Sequence, residues 1–463
     1  MKRKLLPILL ALIIFFSFCF SLPASAYQIN DYEMHHEAGM VVHLETGTVV
    51  YEHNADQRMY PASVTKLMTA LVMVENIPDL ENTKIAYTSY ANNLILGTGS
   101  VVLGLKVGEE MNAKDALAAL LIPSCGDVAY AIAEHVGGSK EGFAEMMNAK
   151  AKELGLKDTH FVDPVGLHDD NHYTTARDVT IFAKAAFDVE VIKEITSKSR
   201  YTLGATNMRG ERTIVTSNML INPNSDAYYT YAESGKTGYT SKAGRCLVAT
   251  ASYKGYEYMS VVLKADTSGG VRRDFLDTAN MFRWAFNSFE YKSVIEATTP
   301  VTEVPITLSS ETDHLQVCFK DGLKALLPVE ADSSTITYTV KLNQESYVAP
   351  VKKGTVLGTA DIFYAEEKIG TVQLVAGQTV DATPLLVFGK LAGDFFTSTA
   401  MKIVYFSIAG IILLFILIIV FMNLGRKRRR HRSKVKYQPI SQRELDKRIE
   451  REKEDDIDIS SWR

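Results

Sequence analysis

Tyr60-Pro61-Ala62-Ser63-Val64-Thr65-Lys66-Leu67-Met68-Thr69-Ala70 is the stretch on which the reading of this chain turns. Pro61 precedes Ser63, and Val64, Leu67, Met68, Leu71 and Val74 recur at intervals of three and four, the spacing of a helix with one buried face. Ser63 then falls in the first turn with Lys66 three residues on, so both side chains project from one face and can meet. A serine hydroxyl is a weak nucleophile until a base takes its proton. A lysine serves as that base only when neutral, which burial and a neighbouring cation favour. Alone the pair is a weak signal, since Ser-x-x-Lys arises about once or twice by chance at this length and often marks only a helix start with a solvated lysine.

The surroundings of this stretch indicate an α+β domain over 27–298. Upstream, the β-prone runs 40–44 and 49–51 flank Glu45-Thr46-Gly47-Thr48, an opening hairpin. Downstream, helical patterns cover 113–121 and begin again at 127–135. The apolar runs 246–251 and 258–263 straddle Lys254-Gly255, a second hairpin, and an amphipathic helix follows near 274–289. Beyond it, 299–385 becomes rich in Val, Thr and Ile with glycine-punctuated turns, as at Lys353-Gly354 and Ala376-Gly377. This β-rich domain has no nucleophile-base pair and reads as a spacer or interaction module.

Both ends of the chain point to a membrane. Lys2, Arg3 and Lys4 precede an apolar run that ends in Ala24-Ser25-Ala26, so 1–26 reads as a signal peptide, with an uncleaved anchor as the alternative. After a linker at 386–402, residues 403–424 are almost wholly apolar and long enough to span about 30 Å of hydrocarbon as a helix. Arg426, Lys427, Arg428, Arg429, Arg430 and Arg432 follow, as expected of a cytoplasmic flank, so 425–463 reads as a cytoplasmic tail and 27 to about 400 as outside the cell. The formal net charge of −4 over 463 residues gives no indication of a nucleic-acid partner. With Cys19 inside the signal peptide, Cys125, Cys246 and Cys318 are an odd set without zinc spacing, so neither a disulfide framework nor a metal is expected. His168-Asp169-Asp170-Asn171-His172 reads as a surface loop.

Two further motifs make the first specific. Leu121-Ile122-Pro123-Ser124-Cys125-Gly126-Asp127 holds a polar serine between two helices. Glu233-Ser234-Gly235-Lys236-Thr237-Gly238-Tyr239-Thr240 places a cation and a hydroxyl beside a strand, where they suit a substrate carboxylate, while its glycines let substrate approach the backbone. In that order, Ser-x-x-Lys, the Ser124 loop and Lys-Thr-Gly resemble the motif set of penicillin-binding proteins and class A β-lactamases. The resemblance is strongest to the low-molecular-mass penicillin-binding proteins, the serine-type D-alanyl-D-alanine carboxypeptidases. It extends over 38–290 through Gly108-Glu109, Phe161-Val162-Asp163-Pro164-Val165-Gly166-Leu167 and His172-Tyr173-Thr174-Thr175-Ala176-Arg177-Asp178.

That resemblance implies a penicilloyl-serine-transferase fold, β-lactamase/transpeptidase-like, followed by the small β-rich domain and one C-terminal transmembrane helix. It implies catalytic roles for Ser63, Lys66 and Ser124, and substrate binding by Lys236, Thr237, Gly238 and Tyr239. The backbone N–H groups of Ser63 and Tyr239 would form the oxyanion hole. The implied substrates are peptidoglycan stem peptides, with β-lactams as covalent inhibitors and no cofactor. The family's second motif usually reads Ser-x-Asn, whereas this chain has Gly126 at the third position. An orienting amide is therefore missing, and Gly126→Asn is expected to raise turnover unless the loop has tightened around the glycine. Tyr90-Ala91-Asn92 is a second candidate for that motif. A β-lactamase is disfavoured because no Glu-bearing loop of the class A pattern lies between Ser124 and Lys236. A penicillin-binding wall scaffold without turnover is the remaining alternative.

Overall fold

A computed structural model describes residues 29, 32–433 and 441–455; the segment read as a signal peptide and the last residues of the tail lie outside the described residues. The chain divides into two compact units, Met1–Ala297 with Asp321–Val340 and Ala360–Val372, and Thr298–Lys320 with Lys341–Thr359 and Gln373–Arg463.

In the first unit, strands β1 (His36–His43) and β2 (Val49–His53) form the opening hairpin. A 3-10 turn, Ala62–Thr65, then leads into α1 (Lys66–Asn76). There follow β3 (Lys84–Ala86), α2 (Ser89–Ile95), β4 (Glu110–Asn112), α3 (Ala113–Leu121), α4 (Gly126–Gly137), α5 (Lys140–Glu153), α6 (Ala176–Phe187) and α7 (Glu190–Thr196). A small hairpin of β5 (Arg200–Leu203) and β6 (Arg212–Val215) precedes β7 (Ala232–Thr240), β8 (Gly244–Tyr253), β9 (Tyr256–Ala265) and α8 (Arg273–Ser288). The main sheet is antiparallel with the order β2-β1-β9-β8-β7, so β7 pairs on one side only. The β8–β9 turn works as its sequence predicts. Tyr253 pairs with Tyr256 across Lys254 and Gly255, which take φ of 52° and 83° and so match the twist of the strands they join.

The strands read as continuous apolar runs because both faces of the sheet are buried. Met40, Val42, Cys246, Val248, Met259 and Val261 point into the core shared with α1, α3, α4 and α6. Their neighbours Val41, Leu247, Ala249, Tyr258 and Val262 point the other way, onto Phe275, Ala279, Phe282 and Ala285 of α8. Helix starts are fixed by side-chain caps: Asn112 accepts from the Asp115 N–H at 2.7 Å, and Thr175 from that of Asp178 at 3.0 Å.

Three local expectations need correction. Ser63 lies in the 3-10 turn and not in an α-helical first turn, because Ala62 takes φ 47° and the chain enters α1 through a tighter bend. Strand β10 (Phe289–Ile295) begins ahead of residue 299 and pairs with β13 (Leu323–Pro328) inside the first unit. Helix α8 runs straight into it without a turn residue, which leaves no punctuation in the sequence. The segment expected as a linker at 386–402 is helical: α9 (Pro384–Thr397) is followed by α10 (Thr399–Ser433), with a break at Ser398, ψ 154°. Pro384 at the first helical position favours that start.

In the second unit, β11 (Pro300–Thr307) pairs antiparallel with β12 (His314–Phe319) and parallel with β15 (Tyr347–Val348). Within α10, Thr399–Leu424 is long and apolar enough to cross a membrane, by length and composition. Gln442–Asp455 forms α11.

Asp277 on α8 ties down the start of the described chain. Its buried carboxylate accepts from the Tyr32 hydroxyl at 2.9 Å and the His35 N–H at 2.8 Å, and lies 2.8 Å from His36 Nδ1. Removing it leaves the half-buried Tyr32 hydroxyl and His35 N–H and the buried His36 ring nitrogen without this partner, so Asp277→Ala is expected to cost about 3 kcal/mol. Urea unfolding followed by Trp284 fluorescence should show the midpoint falling; an unchanged midpoint would refute this role.

Candidate active site

Ser63, Ser124, Thr237, Gly238 and Tyr239 line one cleft of about 540 Å³. Lys66 and Lys236 lie directly beneath its surface, 0% and 1% exposed. Each buried ammonium nitrogen is matched to one serine. Lys66 Nζ donates to Ser63 Oγ at 2.9 Å and to the Val165 carbonyl at 2.9 Å. Lys236 Nζ donates to Ser124 Oγ at 2.8 Å and to the Thr237 carbonyl at 2.8 Å. All the residues chosen from the three motifs therefore meet at one place.

The backbone is strained where it presents the two serines. Ala62 before Ser63 takes φ 47° and Ser124 takes φ 73°, left-handed conformations that cost a non-glycine residue about 1 kcal/mol or more. Glycine neighbours crowd the first. Gly166, φ 86°, lies so close to the Ala62 carbonyl that a Cβ there would overlap it. Gly238 passes Ser63 in the same way: a Cβ on it would stand 3.0 Å from the Ser63 N–H nitrogen and 2.9 Å from the Pro61 oxygen. Only glycine lets β7 come this near the nucleophile.

A second ring of contacts fixes Lys66. Asp163 Oδ1 accepts from the Val165 N–H at 2.8 Å and the Gly166 N–H at 2.7 Å, forming the turn whose Val165 carbonyl receives Lys66. Thr69 Oγ1 on α1 donates to the Pro164 carbonyl at 2.7 Å and clamps the same turn. His172, read from sequence as part of a surface loop, is instead buried. Its Nδ1 accepts from the Val162 N–H at 3.2 Å, so its Nε2–H faces Thr65 Oγ1 at 2.9 Å. Burial holds its imidazole down at about 4, hence neutral, and that tautomer suits both contacts.

Burial also sets the protonation of the lysines. It pulls Lys66 down to about 8, with the negative charge of Asp163 opposing the shift. It pulls Lys236 well below its ordinary value, and the neighbouring Lys66 adds to the effect. Lys66 therefore loses its proton within reach of physiological pH and is mainly neutral above about 8, the property a base for Ser63 would need. Cys125, next to Ser124, goes the opposite way: burial pushes its thiol up to about 12, so it stays protonated.

Two cleft residues escaped the motif reading. Ser217 Oγ lies 2.7 Å from Thr237 Oγ1, and Arg272 lines the same wall with its guanidinium on Asp274 at 2.6 and 3.0 Å. Neither sits in a spaced motif; Ser217 stands in a loop ahead of β7 and Arg272 just before α8, and only folding brings them in.

The alternative second motif does not join the site. Tyr90 Oη accepts from the Lys140 N–H at 2.9 Å and Asn92 Oδ1 from the Tyr87 hydroxyl at 3.3 Å, both on the flank of α2. Gly126 opens α4 without a positive φ, but its Cβ position is taken: a Cβ would lie 2.5 Å from Ser100 Oγ and 2.9 Å from Ile95 Cδ1. Both atoms end side chains, so an asparagine at 126 requires Ser100 and Ile95 to turn aside before any gain from Gly126→Asn can appear. Nor is Asp127 free to substitute for an amide. Its carboxylate accepts from the N–H groups of Leu103, Gly104 and Leu105 at 2.9, 2.9 and 3.2 Å.

Comparison with known proteins agrees with this geometry. The profile of the family described as D-alanyl-D-alanine carboxypeptidase, Peptidase_S11, matches residues 25–267, and that of the penicillin-binding protein 5 C-terminal domain matches 289–382. The chain is 31% identical over 390 residues to D-alanyl-D-alanine carboxypeptidase DacF of Bacillus subtilis, covering 84% of this chain and 97% of that protein. It is 30% identical to DacC of Escherichia coli, covering 78% and 85%. The crystal structure of DacD from Francisella tularensis shares the fold at 22% identity, with a TM-score of 0.60 over 78% of this chain and 97% of that one.

A neutral Lys66 makes acylation pH-dependent with a defined sign. Labelled penicillin should react with Ser63 about tenfold faster per pH unit on the acid side and level off above about pH 8, since the neutral fraction rises with pH. Lys66→Arg, always charged, should abolish the rising limb together with the rate. A flat profile between about pH 6 and 9 in the wild type would contradict Lys66 as the base.

Proposed function

Since the chain belongs to the D-alanyl-D-alanine carboxypeptidase family, serine hydrolases of peptidase family S11, we propose that Ser63 is its nucleophile and Lys66 its base. The observation that carries this assignment is the fully buried Lys66 Nζ standing 2.9 Å from Ser63 Oγ. Ser63 Oγ attacks the carbonyl carbon of the penultimate D-alanine while its proton passes to Lys66. The carbonyl oxygen becomes an oxyanion between the N–H groups of Ser63 and Tyr239, the closeness of Gly238 to Ser63 N bringing the two strands of backbone together. Ser124 passes its proton to the leaving nitrogen and takes the one held by Lys66, so the C–N bond breaks, D-alanine departs and Lys66 is neutral again. Water then attacks the Ser63 ester carbonyl and gives a proton to Lys66, which hands it to Ser63 Oγ as the ester C–O bond breaks.

The leaving D-alanine carries a carboxylate, and Lys236, Thr237 and Ser217 form the polar end that suits it. In the free cleft burial disfavours the Lys236 ammonium; an incoming carboxylate opposes this, so binding and protonation reinforce each other. Because β7 pairs only with β8, its outer edge is available to hydrogen-bond an extended peptide. β-Lactams, which family members bind covalently, acylate the same serine.

We further propose that 1–26 is a signal peptide and that Thr399–Leu424 anchors the chain. The basic run from Arg426 stays in the cytoplasm and the hydrolase faces the wall, where trimming of stem peptides bears on cell shape.

Ser63→Ala is expected to abolish both the penicillin adduct and release of D-alanine from a pentapeptide ending in D-Ala-D-Ala, with the thermal midpoint unchanged. Lys66→Ala should slow both by several orders of magnitude, because nucleophile and base act as a unit. An adduct mapped to Ser124 would overturn the assignment. Adduct formation without any release of D-alanine would favour the scaffold reading. Protease added to intact cells should remove the catalytic domain and spare the tail; the reverse pattern would refute the topology.

A further inference from the structure

Position 126 and Ser100 compete for one space. A Cβ on Gly126 would stand 2.5 Å from Ser100 Oγ and 3.1 Å from Ser100 Cβ, so the serine side chain occupies the volume that a side chain two residues after Ser124 would enter. Ser100 reaches it on the segment 98–105, which is fastened to the start of α4. The Gly126 N–H donates to the Val101 carbonyl at 2.7 Å, and the buried Asp127 carboxylate accepts three successive N–H groups from Leu103 to Leu105. Such a fastening holds the segment against α4 rather than leaving it free over the cleft.

Ser100 lines the cleft that contains Ser63 and Ser124. The neighbouring hydroxyl of Thr98 is committed, donating to the Ile95 carbonyl at 2.9 Å and accepting from the Ser100 N–H at 3.3 Å. The Ser100 hydroxyl has no protein hydrogen-bond partner among the described residues. A half-buried hydroxyl at a substrate cleft, positioned by its backbone and lacking a partner, is suited to take one from the substrate.

Resting on the carboxypeptidase reading above, we propose that Ser100 is a substrate-positioning residue whose hydroxyl hydrogen-bonds the peptide backbone on the acyl side of the scissile bond. The side follows from the chemistry. The leaving group is a single D-alanine, whose only polar groups are the scissile nitrogen and the carboxylate, and these face Ser124 and the Lys236–Thr237–Ser217 end. Every other backbone amide in the cleft belongs to the acyl part. The Ser100 hydroxyl thereby supplies from a loop what an amide side chain at 126 would supply from α4, and an amide there would have to displace the serine hydroxyl from its present position.

The test compares wild type, Ser100→Ala, Ser100→Thr, Gly126→Asn and Ser100→Gly/Gly126→Asn. For each, kcat and KM on an N-acylated peptide ending in D-Ala-D-Ala are set beside Ser63 acylation by labelled penicillin and the thermal midpoint. Ser100→Ala should lower kcat/KM on the peptide about ten- to a hundredfold, the loss of one hydrogen bond to the reacting substrate, while the thermal midpoint and Ser63 labelling persist. Ser100→Thr, which keeps the hydroxyl, should retain most of the activity. Gly126→Asn should lose turnover, and the double variant should exceed Ser100→Gly, because emptying position 100 makes room for the amide. Peptide turnover unchanged in Ser100→Ala sinks the proposal alone. An equal loss of penicillin labelling and thermal stability would also overturn it, since the serine would then be structural. Absence of peptide turnover in the wild type would sink the hydrolase reading and this one with it.

Discussion

Burying a lysine ammonium is costly, and several contacts around the cleft serve to accommodate Lys66. Taken out of water, its nitrogen needs acceptors, and it finds two: Ser63 Oγ and the Val165 carbonyl. The second exists only because Asp163 shapes the 163–166 turn and Thr69 clamps it to α1. Remaining uncompensated burial lowers the proton affinity of the amine, the property that the proposed role of Lys66 as a base requires. The same desolvation that costs stability at this point also sets the protonation of the amine.

The main sheet gives that lysine a fixed surrounding. Its two faces are covered separately, by the helical group holding α1 and by α8, which leaves β7 as an edge that packs against the nucleophile turn instead of pairing with a further strand. An open edge is ordinarily an aggregation hazard. Here glycine at 238 brings it against Ser63, and the edge becomes a wall of the substrate cleft. Left-handed backbone at Ala62 and Ser124 accompanies the same arrangement: the first precedes Ser63, whose hydroxyl meets Lys66, and the second carries the hydroxyl that meets Lys236.

The second motif shows how a glycine lets two separate segments approach each other. With glycine at 126, the start of α4 lies open to the 98–105 segment, and Asp127 uses its carboxylate to fasten that segment down. The departure from the family pattern is therefore not a hole in the site but a different occupant of the same volume.

The sequence by itself showed the opening hairpin, the helices after Ser63, over 113–121 and from 127, the hairpin around Lys254-Gly255 and α8, because apolar runs and periods near four report burial directly. It also singled out Ser63, Lys66, Ser124 and Lys236 to Tyr239, which the fold brings to one cleft, because their types and order are specific. It could not show where β10 begins, since helix and strand abut without punctuation, nor that 386–402 is helical. The supporting residues were hidden for a deeper reason. His172, Asp163, Ser217, Arg272 and Ser100 are ordinary polar residues in loops, and their value lies in distances to residues far away in the chain, which no local period encodes. Whether Gly126 leaves a gap or makes room was likewise decided only by tertiary structure, because the answer depends on a side chain brought there by a separate loop.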